Sequence, residues 1–421
     1  MDLKTIETVA DCLQQAKKQE EQGQLPTALS LYIRATEIEP ASVSAWEKKG
    51  SCHFSQQNYD SARVSYEKAI ELGSKAPWVR LRLGQISQKR DDPEQAIAQF
   101  KAAIALNPKN FTFHIACAES YAKLHQWDQA MRCCEQAIAL NPNLPRPYEQ
   151  LGDIQHAQAQ LVAAKSSYEK AIELGSKSPR IRLLLGRIAQ QQNKHRAAIA
   201  QFKAAITLNP KNLSFYMALG DSCCKLKWFE EASSAYSQAT LINPEAAEPY
   251  RALGALYFSQ KQFLASQNSH HIAIGKGSKA PQSRFHLARI AQEKGDSDTA
   301  YYWYREAIAL NPNNAQFYYY LGNLQSQQSN SNQARASYTK ALDVNPKFKP
   351  ALDAIDTLAF ISPSLSSSFE DSFFSNSTAP ASTSSQNAPS PSAPNNPPLT
   401  EETSNTALPN FFQRILKRFR Q

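Results

Sequence analysis

Glycine and long apolar runs are both scarce in this sequence. The chain has 13 glycines among 421 residues, less than half of the usual share of about 7%, which argues against collagen, a glycine-rich linker protein and a turn-dense β-sandwich. No apolar run approaches the roughly 20 residues that a membrane-spanning helix needs. The first residues, 1–7, include an early acid and no apolar stretch follows them, so no secretory signal is expected. These absences predict a cytoplasmic protein.

Signatures of catalysis and of metal binding are also missing. The sequence has no glycine-rich phosphate loop, no G-x-S-x-G elbow and no H-E-x-x-H motif. Its seven cysteines are an odd number, and the adjacent pairs Cys133-Cys134 and Cys223-Cys224 have neither C-x-x-C spacing nor histidines placed to complete a zinc site. We therefore expect reduced, structural cysteines, no cofactor, no metal and no enzymatic activity.

What the sequence has instead is a 34-residue period. Alanine recurs at this interval ten times, from Ala35 to Ala341, and two further small residues precede each one, beginning with Ala28 and Ala16 in the first copy. All thirty positions hold glycine, alanine or serine. Small side chains at regular intervals let helices approach closely, which indicates a stack of repeated helix pairs.

An aromatic position accompanies the small ones. Three residues before each recurring alanine stands a large residue, aromatic in eight of the ten copies, which we interpret as a plug between neighbouring helix pairs. The eighth copy departs most from the pattern because it has Ser266 and His270 in core positions. The ten plug residues are Tyr32, Tyr66, Phe100, Cys134, Tyr168, Phe202, Tyr236, His270, Tyr304 and Tyr338.

The helix ends are equally regular. In nine of the ten copies, glycine or asparagine stands four residues after the recurring alanine, as in Gly73 and Asn107. Both residue types tolerate the left-handed conformation that closes a helix, so we expect that conformation at each of these positions. Proline follows directly after the asparagines and four residues after the glycines, where it stops one helix or begins the next.

The 34-residue period, the small and aromatic positions and the Asn-Pro endings resemble the tetratricopeptide repeat, in ten copies over residues 9–348. The resemblance implies an all-α fold, a right-handed α-solenoid superhelix of antiparallel helix hairpins. It also implies a concave groove, lined by the first helix of each unit, that binds a peptide or helix of a partner protein. Residues 349–361 continue the pattern and are expected to form a capping helix.

A longer period of 102 residues is superimposed on the 34-residue period. Residues 70–77 return at 172–179 and more loosely at 274–281. We interpret this as triplication of a block of three units, over 43–144, 145–246 and 247–348. Similar surfaces should therefore recur every three units.

The resemblance places the candidate partner-binding residues on the first helices. The lysine and asparagine set with which the heat-shock co-chaperone branch of the family clamps a terminal carboxylate is complete in no window, so that activity is not expected. The apolar candidates are Phe54, Trp78, Phe258, Phe285 and Tyr319. The polar candidates are Glu149, Arg187, Asp221, Arg251, Arg289 and Asn323.

The net charge leaves an alternative open. The chain carries 46 Lys and Arg against 37 Asp and Glu, a balance of +9, and residues 362–421 contain four of each sign, so the excess lies in the repeats. A basic solenoid could bind RNA. The family resemblance implies a further alternative, an accessory arm that presents substrates to a separate transferase, because repeats of this type are often fused to such enzymes. One first-helix position, however, changes sign along the chain, where it holds Glu119, Asp153, Arg187, Asp221 and Arg289. An extended phosphate track requires one sign, so we favour a protein partner and a non-enzymatic scaffold or assembly factor.

Two further segments follow the repeats. Residues 362–408 are rich in Ser, Pro and Asn and are predicted to be a disordered linker. Residues 409–421 place aromatic and aliphatic side chains on one side of a helical wheel and basic ones on the other, which predicts a basic amphipathic helix. It suits an anionic membrane surface or a protein groove. Its anchor residues are Phe411, Phe412, Arg414, Ile415, Leu416, Lys417, Arg418 and Phe419.

Overall fold

The computed structural model describes residues 8–361. Regular secondary structure in this range consists of 21 α-helices, of which the first twenty pair into ten antiparallel hairpins, numbered here as units 1–10. The helices are α1 (Val9–Glu21), α2 (Leu25–Ile38), α3 (Val43–Ser55), α4 (Tyr59–Glu71), α5 (Pro77–Lys89), α6 (Pro93–Leu106), α7 (Phe111–Lys123), α8 (Trp127–Leu140), α9 (Pro145–Ala157), α10 (Leu161–Glu173), α11 (Pro179–Gln191), α12 (His195–Leu208), α13 (Leu213–Lys225), α14 (Phe229–Ile242), α15 (Ala247–Ser259), α16 (Phe263–Gly275), α17 (Pro281–Glu293), α18 (Ser297–Leu310), α19 (Ala315–Gln327), α20 (Ser331–Val344) and α21 (Lys349–Ile361).

Each hairpin packs on the next in chain order, which makes the array an α-solenoid, as the sequence predicts. The array belongs to one compact unit that ends at Ile355, and the described part of the second unit is the end of α21. Helix α21 spans the residues for which a final helix is predicted. None of the helices within residues 8–361 is long and apolar enough to cross a membrane. The predicted linker and terminal helix, residues 362–421, lie outside the described residues.

Local sequence explains where the helices begin. The first helix of every unit starts 34 residues after the previous one, and four of these starts, including Pro77 and Pro179, are prolines. Proline suits the first helical position because its missing N–H has no partner there in any helix. Several helices, first and second alike, have a side-chain cap. The Asp92 carboxylate, for example, accepts a hydrogen bond from the backbone N–H of Gln95 at 2.9 Å.

The small positions contact the aromatic plugs. A Cβ atom added at Gly186 would lie 2.3 Å from a ring carbon of Phe202, and one at Gly84 would lie equally close to Phe100. Both rings are fully buried, as are the recurring alanines Ala205 and Ala103. Each plug therefore packs directly against the backbone of its partner helix, which explains why the repeat requires a small residue there.

The helix ends correct one expectation from the sequence. Gly73, Gly175 and Gly277 have φ values of +96°, +92° and +85°, so the glycine ends are left-handed as predicted. The asparagine ends are not left-handed, since Asn141 has φ −148° and is extended. Its side chain instead accepts a hydrogen bond from the N–H of Asn143 at 3.2 Å. The proline that follows each of these asparagines excludes the helical region for the residue before it, so an extended residue is the physical outcome.

A left-handed residue does occur in every unit, at the turn between its two helices. Eight of these ten positions hold a residue other than glycine, at a cost of about 1–2 kcal/mol each for an ordinary side chain. At Ala159, with φ +58°, the turn is closed by hydrogen bonds from Ala159 N–H to His156 C=O and from Gln160 N–H to Gln155 C=O. This pair of bonds is the Schellman motif. The left-handed positions are Gly23, Gln57, Asp91, His125, Ala159, Asn193, Lys227, Lys261, Gly295 and Ser329.

Hydrogen bonds between units repeat over 102 residues in the first two predicted blocks. Glu47 accepts from the Ser74 hydroxyl, and Glu149 accepts from the Ser176 hydroxyl 102 residues later. The third block differs, since its corresponding residue is Arg251, which pairs with a glutamate of its own helix. Triplication of the three-unit block remains a prediction. Because Arg251 stands where the first two blocks have glutamate, the junction of units 8 and 9 carries a positive charge in place of a negative one.

Candidate functional site

An open cavity lies mainly on the first helices of units 2–5. It has a volume of about 890 Å³, and it is open to solvent along one side. Aromatic side chains from α3, α4 and α8 and cations from α5, α7 and α9 share its wall with two acids. The lining residues are Phe54, Tyr59, Arg82, Gln85, Gln88, Lys89, Ala118, Glu119, Ala122, Lys123, Trp127, Arg146, Gln150, Asp153 and Ile154. We call this cavity the first groove.

Both acids of the first groove are engaged by neighbouring donors. Glu119 accepts hydrogen bonds at 2.7 Å from Arg146 and at 2.7 Å from Gln150. Asp153 accepts from the Tyr168 hydroxyl at 2.8 Å and from both terminal nitrogens of Arg180 at 2.8 and 2.6 Å. The bidentate hydrogen bond with Asp153 raises the pKa of the Arg180 guanidinium above its ordinary value. The acidic charge in this wall is therefore largely neutralised from within the protein.

A second, smaller cavity lies on units 9 and 10. It has a volume of about 490 Å³ and includes Arg289, Tyr320 and Asn323 in its wall. The Arg289 guanidinium lies over the Tyr320 ring at 4.2 Å from the centroid and pairs with Glu293 at 3.5 Å. This second groove therefore presents a planar cation and an aromatic ring together.

Three of the eleven candidate residues line one of these two cavities. Phe54 lies in the first groove, and Arg289 and Asn323 lie in the second. Phe285 is 6% exposed and packs between the rings of Phe317 and Tyr320, so it fills the core and is not open to a partner.

The other apolar candidates are partly buried against neighbouring rings. Trp78 packs edge-on against Tyr66, with ring centroids 5.9 Å apart. Phe258 stacks on His286 at 4.4 Å. Tyr319 lies against the Tyr338 ring at 5.9 Å. The contacts of Trp78 and Phe258 lie between neighbouring units, whereas that of Tyr319 lies within unit 10. All three rings keep only part of their surface free.

The remaining polar candidates divide between structural and exposed positions. Glu149 bonds to the serine of the turn that leads into the next unit. Asp221 accepts a hydrogen bond from the Tyr236 hydroxyl at 2.7 Å. Arg251 pairs with Glu248 at 3.6 Å, and Arg187 is exposed. Glu149 and Asp221 thus have partners inside the protein.

The hydrogen bond from Tyr236 to Asp221 is one example of a pairing between plug tyrosines and first-helix side chains, which we did not predict from the sequence. Where the plug is tyrosine, a side chain on the first helix of the same unit often accepts its hydroxyl. The acceptor is Asp153 for Tyr168, Asp221 for Tyr236 and Asn323 for Tyr338. Where the plug is phenylalanine, the same position holds Gln85 or Arg187. Comparing the two positions across units would have separated these structural acids from residues free to bind.

Units 8 and 9 contain a histidine pair, of which His270 is buried and His286 is partly buried. His270 is fully buried, and its Nε2 lies 3.0 Å from Nδ1 of His286. Burial, followed by the charges of His286, His271 and Arg251, lowers the pKa of His270 to about 3. Burial, followed by the charges of Arg289 and Arg251, lowers the pKa of His286 to about 4. Both rings are therefore neutral at physiological pH, and one donates to the other.

The predicted anchor residues, from Phe411 to Phe419, lie outside the described residues. All seven cysteines of the chain are free, and five of them are buried. Within residues 8–361, no group of three or more His, Cys, Asp and Glu side chains is placed to hold a metal ion.

Family comparisons agree with this architecture. Residues 144–347 match the C-terminal domain of cilia and flagella-associated protein 70, and residues 13–77 and 87–151 each match the tetratricopeptide repeat. No curated protein sequence matched the chain. Stacked helix hairpins with open grooves on their first helices define an α-solenoid of the interaction type. The chain is a tetratricopeptide repeat protein, and such repeats generally serve as scaffolds for protein–protein interaction.

Several solved structures are similar to the chain. They include the C-terminal part of a tetratricopeptide repeat protein from Cytophaga hutchinsonii, with 16% identity, a TM-score of 0.48, and coverage of 57% of this chain and 99% of that one. The pilF protein of Pseudomonas aeruginosa has 18% identity and a TM-score of 0.41, with 48% and 92% covered. YrrB, a tetratricopeptide repeat protein with an unusual peptide-binding site, has 19% identity and a TM-score of 0.39, with 46% and 99% covered.

Proposed function

We propose that this protein is a non-enzymatic scaffold or assembly factor that binds an extended peptide or a helix of a partner protein on its first helices. The observation that carries the proposal is the first groove, with its volume of about 890 Å³ and its wall of partly exposed aromatic and charged side chains. Aromatic and arginine side chains are the usual energetic centres of protein interfaces. A groove of this composition therefore offers both apolar anchoring and polar specificity.

The second part of the proposal concerns residues 409–421. Their sequence supports an amphipathic helix that holds the complex at an anionic membrane surface or on a second protein. Thirteen residues form a marginal helix in water, so binding would induce the helix. The repeats would then select the partner, and the terminal segment would determine where the complex resides.

Truncation tests both parts in one experiment. Full-length protein and a chain ended at Ala407 are used for affinity capture from soluble and membrane fractions of the native host. We expect the shortened chain to retain its partners and to leave the membrane fraction. Loss of the partners on truncation would contradict the proposal, because the terminal segment would then be the recognition element. Retention of the shortened chain in the membrane fraction would contradict the anchor role alone.

A further inference from the structure

We infer that the first groove takes an acidic peptide that carries two carboxylate side chains about 10 Å apart beside a large apolar side chain. The inference rests on the proposed function and specifies the partner's chemistry. Three features of the groove support it: the cations without acidic partners, the spacing between them and the aromatic surface beside them.

Two cations of the groove have no acidic partner in residues 8–361. Arg82 donates to the neutral Gln85 side chain at 2.9 Å, and Lys89 is exposed and forms no ion pair there. Lys123 differs because it pairs with Asp91 at 3.1 Å. Since Glu119 and Asp153 are already engaged, as described above, Arg82 and Lys89 leave an uncompensated positive charge. A ligand with carboxylates would neutralise it.

The two free cations lie on one side of the same helix. They are seven residues apart on α5, so their Cα atoms are separated by about 10 Å along the axis and by only about 20° around it. A peptide in the polyproline II conformation places residues i and i+3 on the same side about 9 Å apart. Acids three residues apart in an extended peptide therefore match Arg82 and Lys89, and acids seven residues apart match them in a helix.

Aromatic side chains lie directly beside these cations. The Arg82 guanidinium is 4.5 Å from the centroid of the Phe54 ring, and the Phe54 and Tyr59 rings meet edge to face at 5.6 Å. Both rings are partly exposed, and Trp127 and Ile154 complete the apolar part of the wall. A large apolar side chain of the ligand would pack here, next to its own carboxylates.

The charge pattern favours such a peptide over a nucleic acid. A phosphate backbone requires a continuous positive track. In the first groove Glu119 and Asp153 share the wall with the cations, so the positive charge is not continuous. Discrete acids on a peptide can meet Arg82 and Lys89 without approaching the two carboxylates.

A displayed library of random 12-residue peptides tests the inference. The library is selected on the full-length protein, and the enriched peptides are then titrated as labelled synthetic peptides against Arg82→Glu/Lys89→Glu. The matched control is Lys203→Glu/Arg335→Glu, which changes the net charge equally at exposed positions on α12 and α20. Because all four side chains are at least partly exposed, circular dichroism should show both variants folded.

We expect enrichment of peptides that carry paired acids beside an aromatic or aliphatic residue. These peptides should bind the Arg82→Glu/Lys89→Glu variant at least tenfold more weakly than the natural chain, and their affinity for the control variant should be unchanged. Enriched peptides without an acidic bias, or acidic peptides that bind both variants alike, would overturn this inference and leave the proposed function standing. Failure to enrich any peptide would overturn both. A different outcome would assign the groove to nucleic acid. In that case no acidic peptide is enriched, and a labelled single-stranded RNA binds tightly to the natural chain but not to the Arg82→Glu/Lys89→Glu variant.

Discussion

Replacing Phe202 by alanine is expected to lower the free energy of unfolding by about 3–5 kcal/mol. The ring is fully buried, where it packs with Ala198 and Ala218 and lies directly against Gly186. Removing it would leave a cavity at the junction of units 6 and 7, because the glycine and alanines that it packs against are too small to fill the space. The cost therefore includes both the lost apolar burial and the cavity.

Urea denaturation monitored by circular dichroism measures this effect. Leu208→Ala is the matched control, because Leu208 belongs to the same helix but is 43% exposed, and its loss should cost less than about 1 kcal/mol. Stability in a repeat array is approximately a sum of local terms, so amide exchange in Phe202→Ala should increase most in units 6 and 7. A loss below 1 kcal/mol for Phe202→Ala would show that the plug does not hold the hairpins together.

Acidification is expected to destabilise units 8 and 9. The native pKa values of His270 and His286, about 3 and about 4, lie below the value of 6.5 for an unperturbed histidine. Below pH 6.5 the unfolded chain therefore binds protons that the native state does not bind, so stability falls as the pH falls toward 4. For one histidine the loss between pH 6.5 and 4.5 is up to about 2 kcal/mol. The cationic neighbours Arg251 and Arg289 act in the same direction.

Comparison with His270→Phe isolates this effect from the titration of carboxylates. Phenylalanine occupies the plug position opposite glycine in units 3 and 6, so it should fit opposite Gly254. Urea unfolding at pH 7 and pH 4.5 should show a smaller loss of stability for the variant than for the natural chain. Equal losses would mean that the histidine pair does not control the acid sensitivity of these units.

Much of the fold could be predicted because the repeat constrains it. Gly186 and Phe202 recur in register with their equivalents, and close packing of two helices explains both residue types at that spacing. The start of each first helix was predictable for the same reason. The turn within each hairpin was not, because Ala159 and Lys227 give no sign of the left-handed conformation that the Schellman bonds stabilise.

The left-handed conformation expected at the asparagine helix ends is wrong for a different reason. Asparagine itself tolerates positive φ, but the proline that follows Asn141 favours an extended backbone at that residue. A rule about one residue was overridden by its neighbour.

The candidate groove was harder to predict than the fold. A first-helix position alone does not show whether a side chain is free, as Phe285 is buried between rings while Phe54 at another position is open. Asp221 was chosen for its charge, yet it accepts a bond from a plug tyrosine. The free cations Arg82 and Lys89 were missed because their significance depends on which acids are already bonded, and only the three-dimensional contacts reveal this.

Site-specific photo-crosslinking in the native host shows whether partners bind on the first helices. A photoreactive phenylalanine analogue replaces Phe54 in the first groove or, as a control, Val162, which is 80% exposed on the second helix α10. We expect a discrete crosslinked partner from position 54 and none from position 162. A partner crosslinked from position 162 but not from position 54 would contradict this expectation.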